Sequence, residues 1–197
     1  MQPAADGLYL RIFNGRSYLP RSGLLERAMQ LIQCTQKLFK ELKVKPTEEL
    51  PKFGYIGGWH ANLLRIDRRK CVLFTNDQTL YSFFVPGLKK PEFVHFDEVF
   101  RQNLFKCLLN ERFSQDQIER VLDEYREVKF AKTKNRSVLG SMNDLAFQIK
   151  YRVENSGGLN YLEPMALNQE LNRILFKAVD YQYSIDALRA KLTQIIK

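Results

Sequence analysis

Two hydrophobic rhythms divide the chain: apolar runs cut by turn residues come first, and spacings of three and four follow. Residues 29–34 read as a compact strand, after which Thr35 stands where a helix N-cap belongs, with Phe39 and Leu42 as the apolar face before Pro46. Gly54, Gly57 and Gly58 punctuate a loop. Residues 62–66, 71–75 and 80–85 then read as three strands, joined by the charged turn 67–70 and by Asn76-Asp77-Gln78, the last strand ending at Pro86-Gly87. Connections this short join antiparallel neighbours, so a three-stranded meander is expected.

Helical spacing takes over downstream. Phe96, Val99, Phe100, Leu104, Cys107 and Leu108 share one face, and Ser114 with Gln117 has the pattern of a capping box before Ile118, Val121, Leu122 and Tyr125. Residues 128–132 suggest another strand. Val138, Met142, Leu145, Ile149 and Val153 predict a long helix over 136–154, stopped by Asn155-Ser156-Gly157-Gly158. Residues 171–176 fit helix or strand, and Ser184 caps a last helix carrying Ile185, Leu188, Leu192 and Ile195. The fold class expected is α+β: a small antiparallel meander packed against several helices in a single domain. The first 28 residues read differently, with a short strand pattern at 8–13 broken on both sides. Either translation begins at Met29 and 1–28 is an extension that is not native, or 1–28 is a genuine N-terminal strand or arm; in both cases 29–197 is the domain.

Composition narrows the class. Hydrophobic residues are 45% and charged residues 27%, enough apolar material for a core without a disulfide or metal framework. Cys34, Cys71 and Cys107 are odd in number and far apart, which fits buried thiols in a reducing compartment. With no membrane-length apolar run and no secretory pattern at the N-terminus, a cytoplasmic location without membrane association is expected. The net charge of +9 directs attention to polyanions: nucleic acid first, an anionic membrane surface second, or an acidic protein.

Only His60 and His95 can supply imidazole chemistry. His60 follows Gly57-Gly58-Trp59 and precedes Asn62, a grouping suited either to a small polar pocket with His60 as the catalytic base or to a core plug held by Trp59. Asn76 and Asp77 could anchor a ligand or cap their own turn. On the long helix, Ser137, Ser141, Asp144 and Gln148 form one row, and Arg136, Gly140 and Asn143 another. Gly140 costs a helix ~1 kcal/mol relative to alanine, so either a ligand or a neighbouring strand is expected close to its backbone. Lys129, Lys132, Lys134 and Arg136 form a basic run without an acid, and Arg65, Arg68, Arg69 and Lys70 form a second. Tyr81, Phe83 and Phe84 lie close enough in sequence to suggest base stacking, although Phe84 must face away from the other two. No phosphate loop, dinucleotide fingerprint, zinc-protease helix or nucleophile elbow is present, so no cofactor or metal is expected.

Trp59 to Leu64, Ile66 to Asp77 and Thr133 to Phe147, with a looser likeness at Leu171-Asn172-Arg173, resemble the bacterial family known as "domain of unknown function 6933", from about Met29 to the C-terminus. That resemblance implies a small bacterial cytosolic protein, places the residues before Met29 outside the family pattern, and carries no activity. The leading expectation is binding of RNA or single strands, in a regulatory or toxin-like role, with Arg65 and Arg136 on phosphates and His60 as general base if RNA is cleaved. A protein-interaction module would instead show an exposed apolar patch beside the basic surface. A small-molecule enzyme would bring Trp59, His60, Asn76, Asp77, Asn143 and Asp144 together. The oligomeric state is not legible.

Overall fold

The computed structural model describes residues 30–48 and 56–194; the extension 1–28 with its strand at 8–13, Met29, Gly54 and Ile195 lie outside the described residues. The three central strands are β2 (Trp59–Ile66), β3 (Arg69–Asn76) and β4 (Ser82–Leu88), and they form the expected antiparallel meander. Asp67 and Arg68 make the β2–β3 turn with φ of 47° and 62°, the doubly left-handed geometry that matches the twist of a two-residue hairpin.

The sheet is not wholly antiparallel. β1 (Gln30–Cys34) lies beside β2 and β5 (Val128–Lys132) lies beside β1, both in parallel, giving the order β4-β3-β2-β1-β5. Parallel pairing needs a crossover. Between β1 and β2 the chain makes α1 (Gln36–Leu42) and a further connection, and before β5 it makes α2 (Lys90–Val94), α3 (Phe96–Asn110) and α4 (Gln115–Glu124). The molecule is therefore a single α+β domain with a mixed sheet. After β5 come α5 (Arg136–Asn155), α6 (Pro164–Leu171), the small β6 (Leu175–Phe176) and β7 (Gln182–Tyr183) hairpin, and α7 (Ser184–Gln194).

Both faces of the sheet are covered, which explains why β3 is buried at every position from Cys71 to Asn76 instead of alternating. Trp59, Ala61, Phe74, Tyr81 and Phe83 join the core shared with α1, α3, α4 and α7. Leu64, Leu73 and Phe84 belong to the opposite core, built with Val138, Met142, Leu145 and Ile149 of α5. The aromatic set expected to stack bases is thus interior on both sides: Tyr81, Phe83 and Phe84 are all buried. Cys34, Cys71 and Cys107 are free and buried, and burial pushes the Cys107 thiol up to about 12.

Helix starts follow the local chemistry. Ser114 Oγ accepts from the Gln117 N–H while Gln117 Oε1 accepts from the Ser114 N–H, the reciprocal capping box. Asn135 caps α5, its Oδ1 accepting from the Ser137 and Val138 amides. Thr35 does stand at the N-cap of α1, but its hydroxyl donates to Asn62 Oδ1 at 3.1 Å instead of capping.

Candidate functional site

Strand direction decides where the charges collect. β1, β2, β4 and β5 all end at one end of the sheet, and β3 begins there. β1 covers only Trp59–Ala61 of β2, so the β2–β3 hairpin runs on past the ends of β1 and β5. The basic runs that the sequence separates therefore share this end: Arg68 and Arg69 on the hairpin, Lys89 and Lys90 just after β4, Lys132 at the end of β5 and Lys134 just beyond it, all exposed. Two acids at the same end are already engaged. Glu41 of α1 takes Arg65 at 3.2 Å and Lys70 at 2.6 Å, and Asp67 Oδ2 accepts from the Leu159 N–H at 2.7 Å. Arg68 has left-handed backbone in a position where glycine or asparagine would be relaxed, a cost of about 1 kcal/mol for holding a guanidinium at the hairpin tip.

The opposite end of the sheet holds Asp77, Asp123, Glu124 and Glu127, where β3 ends and β5 begins. The candidate residues are accordingly divided. Arg65 and Arg136 are exposed at or beside the basic end, whereas Asn76 and Asp77 build the β3–β4 turn at the other. Asn76 is buried; its Oδ1 accepts from the Gln78 and Thr79 amides and the Thr79 hydroxyl, and its Nδ2 donates to the Ile56 and Gly58 carbonyls. Asp77 Oδ1 accepts from the Gly58 N–H at 3.0 Å, and burial raises its carboxyl to about 6. Gly57, at φ +78°, is where this turn closes on the preceding loop: a Cβ there would stand 2.5 Å from Asp77 Oδ1.

Trp59 and His60 leave β2 on opposite faces. The Trp59 indole N–H donates to the Tyr125 hydroxyl at 2.8 Å, which in turn donates to the Gly57 carbonyl at 2.9 Å, so the ring is a bonded core plug. His60 is 0% exposed. Its Nε2 lies 3.2 Å from Gln33 Nε2 and its Nδ1 2.9 Å from Thr133 Oγ1. An amide nitrogen can only donate, so Nε2 accepts, Nδ1 carries the proton and Thr133 accepts it. Burial holds this imidazole down to about 4, which keeps it neutral. It is a clasp joining β1, β2 and the β5–α5 connection, with no edge turned to solvent.

Ser141 is buried on α5, while Asn143 and Asp144 are exposed. The six groups of the supposed small-molecule pocket are therefore distributed over both faces of the sheet, Trp59 on one and His60 on the other, with Asn143 and Asp144 exposed on α5. Among the described residues nothing lies within 4 Å of a Cβ built on Gly140, so none of the described strands is the neighbour considered for that position. Among the described residues no three His, Cys, Asp or Glu side chains are grouped to hold a metal ion, and no helix is long and apolar enough to cross a membrane. An open cleft of about 620 Å³ lies against the hairpin, lined by Arg65, Asp67, Lys150, Glu154, Gly157 and Gly158.

Sequence reasoning missed Asn168 and Asn172. Each amide bonds both backbone groups of one residue on the edge strand β4: Asn168 with the Phe84 N–H and carbonyl, Asn172 with those of Ser82. The available signal was two asparagines four apart beside Leu167 and Leu171, where a helix normally exposes polar residues.

No curated protein and no solved structure matches this chain. The two long stretches that carry the family resemblance meet in the fold at the His60–Thr133 contact. The family model described as "Domain of unknown function (DUF6933)" matches residues 31–187 of the 197, and the chain belongs to that family.

Proposed function

We propose that this protein binds RNA or single-stranded nucleic acid by its phosphate backbone, at the end of the sheet where β1, β2 and β5 terminate. The observation that carries this reading is that cations from separate parts of the sequence, Arg65, Arg68 and Arg69 on the hairpin and Lys132 at the end of β5, lie toward one end of the sheet. Lys132 has no acidic partner among the described residues, so its charge is available to an incoming phosphate. The Arg65–Glu41 pair is exposed and worth little, so Arg65 can exchange a carboxylate for a phosphate oxygen. With Tyr81, Phe83 and Phe84 buried, affinity rests on charge and is sequence-tolerant. Neither a regulatory nor a toxin-like role follows from backbone binding alone. Cleavage through His60 lacks support in the geometry, because the imidazole is enclosed.

The test is fluorescence anisotropy of single-stranded RNA, single-stranded DNA and duplex DNA across a salt series. Binding should weaken steeply with salt, and Arg65→Ala/Arg68→Ala/Lys132→Ala should lower the salt slope by about 2 on single strands if all three meet phosphates. Absence of binding at low salt, or an unchanged slope in the triple variant, contradicts the proposal.

A further inference from the structure

The outward face of α5 carries features that the monomer does not use. Gly140 sits in the middle of this 20-residue helix, and the space around it is open. A helix-interior glycine is less stable than alanine, and no packing among the described residues accounts for it. Two turns along the same face, Phe147 is 68% exposed and Tyr151 is 53% exposed. Arg136, Gly140, Asn143, Phe147 and Tyr151 fall on one stripe at steps of three and four, opposite the buried stripe of Val138, Met142, Leu145, Ile149 and Val153. A large apolar bump and a notch without a side chain thus occupy one helix face, seven positions apart.

We propose that this face is an isologous interface to a second copy of the chain, with the two α5 helices antiparallel. A two-fold axis between Asn143 and Asp144 sets Gly140 against the partner's Phe147, Arg136 against the partner's Tyr151, and Asn143 against the partner's Asp144. Each such pair occurs twice, as two-fold symmetry requires. The bump fills the notch, the guanidinium meets an aromatic ring, and an amide donor meets a carboxylate. One residue out of register, Lys134 approaches the partner's Glu154; neither has an ionic partner among the described residues. Charge complementarity favours a second copy here, because the face carries both signs, Arg136 and Lys134 with Asp144 and Glu154, all exposed and able to pair across a two-fold axis. The patch is one helix long, so the association belongs to the weak class of interfaces and depends on concentration. It leaves Arg68, Arg69 and Lys132 outside the interface.

Sedimentation equilibrium of the full chain, from low to high micromolar concentration, tests this. The weight-average mass should climb from one chain toward two, and Phe147→Glu should hold it at one. Gly140→Ala should raise the thermal midpoint, since it improves the helix, yet weaken association. Lys134→Glu and Glu154→Lys should each weaken the dimer, and the double variant should restore it. Circular dichroism of every variant separates lost association from lost fold. A monomer at all concentrations overturns the proposal. So does a dimer indifferent to Phe147→Glu, or a charge swap that fails to restore association in folded protein.

Discussion

His60 and Asp77 respond to burial in opposite directions, and the signs of their effects on stability differ. The imidazole titrates near 6.5 when exposed and near 4 in the fold, so the unfolded state binds more protons between those values. Its contribution is full above pH 6.5 and is lost as pH falls toward 4, by about 3 kcal/mol in total. His60→Asn should therefore lower the urea midpoint at pH 7.5 and flatten its dependence below pH 6.5 relative to the parent; an undiminished acid slope would show that His60 is not its source. For Asp77 the folded carboxyl lies near 6 against an ordinary 3.8, so its favourable contribution is present below 3.8 and is lost as pH rises through 6. Asp77→Asn keeps an oxygen for the Gly58 N–H and should stabilise the protein at pH 7.5 but not at pH 4, as thermal melts at the two values will show. At Tyr125 the hydroxyl is donor and acceptor at once. Tyr125→Phe strands the Trp59 N–H in the core and should cost about 1–3 kcal/mol by denaturant titration.

Elements were legible wherever one stretch of sequence could satisfy its own pattern. The meander, the Ser114 capping box and the Arg136–Asn155 helix are written in local alternation, capping chemistry and stops. The parallel placement of β1 and β5 was not legible, because nothing in a five-residue strand states which neighbour it takes across a long connection. The protection of β4 was hidden for a related reason. Asn168 and Asn172 rise about 6 Å apart on a helix, close to the ~6.6 Å between alternate strand residues, so two side-chain amides replace the backbone of a sixth strand. Such a match exists only once α6 lies along β4. It predicts that Asn172→Ala, which abandons the Ser82 N–H and carbonyl, costs about 2–4 kcal/mol in chemical denaturation and promotes aggregation through the uncovered edge. A loss below 1 kcal/mol, with no aggregation, would show that water replaces the amide readily.

At the scale of the whole molecule, the expected polar site was half legible. The two basic runs were evident in the sequence, but only parallel strand ends place Arg68 and Lys132 at one end, and only the opposed faces of β2 keep Trp59 from meeting His60. Cations from separate stretches thus lie at the hairpin end, whereas where β3 finishes Asp77, Asp123, Glu124 and Glu127 stand with Arg126 and Lys191. The central claim is that the location of charge, and not the net +9, directs binding. The most direct measurement removes two cations from each end in separate proteins of equal net charge: Arg68→Ala/Lys132→Ala at the hairpin end, and Arg126→Ala/Lys191→Ala at the other. Affinity for single-stranded RNA at low salt should fall at least tenfold in the first, about 1.4 kcal/mol, and stay within twofold of the parent in the second. Equal losses in the two proteins would contradict the account.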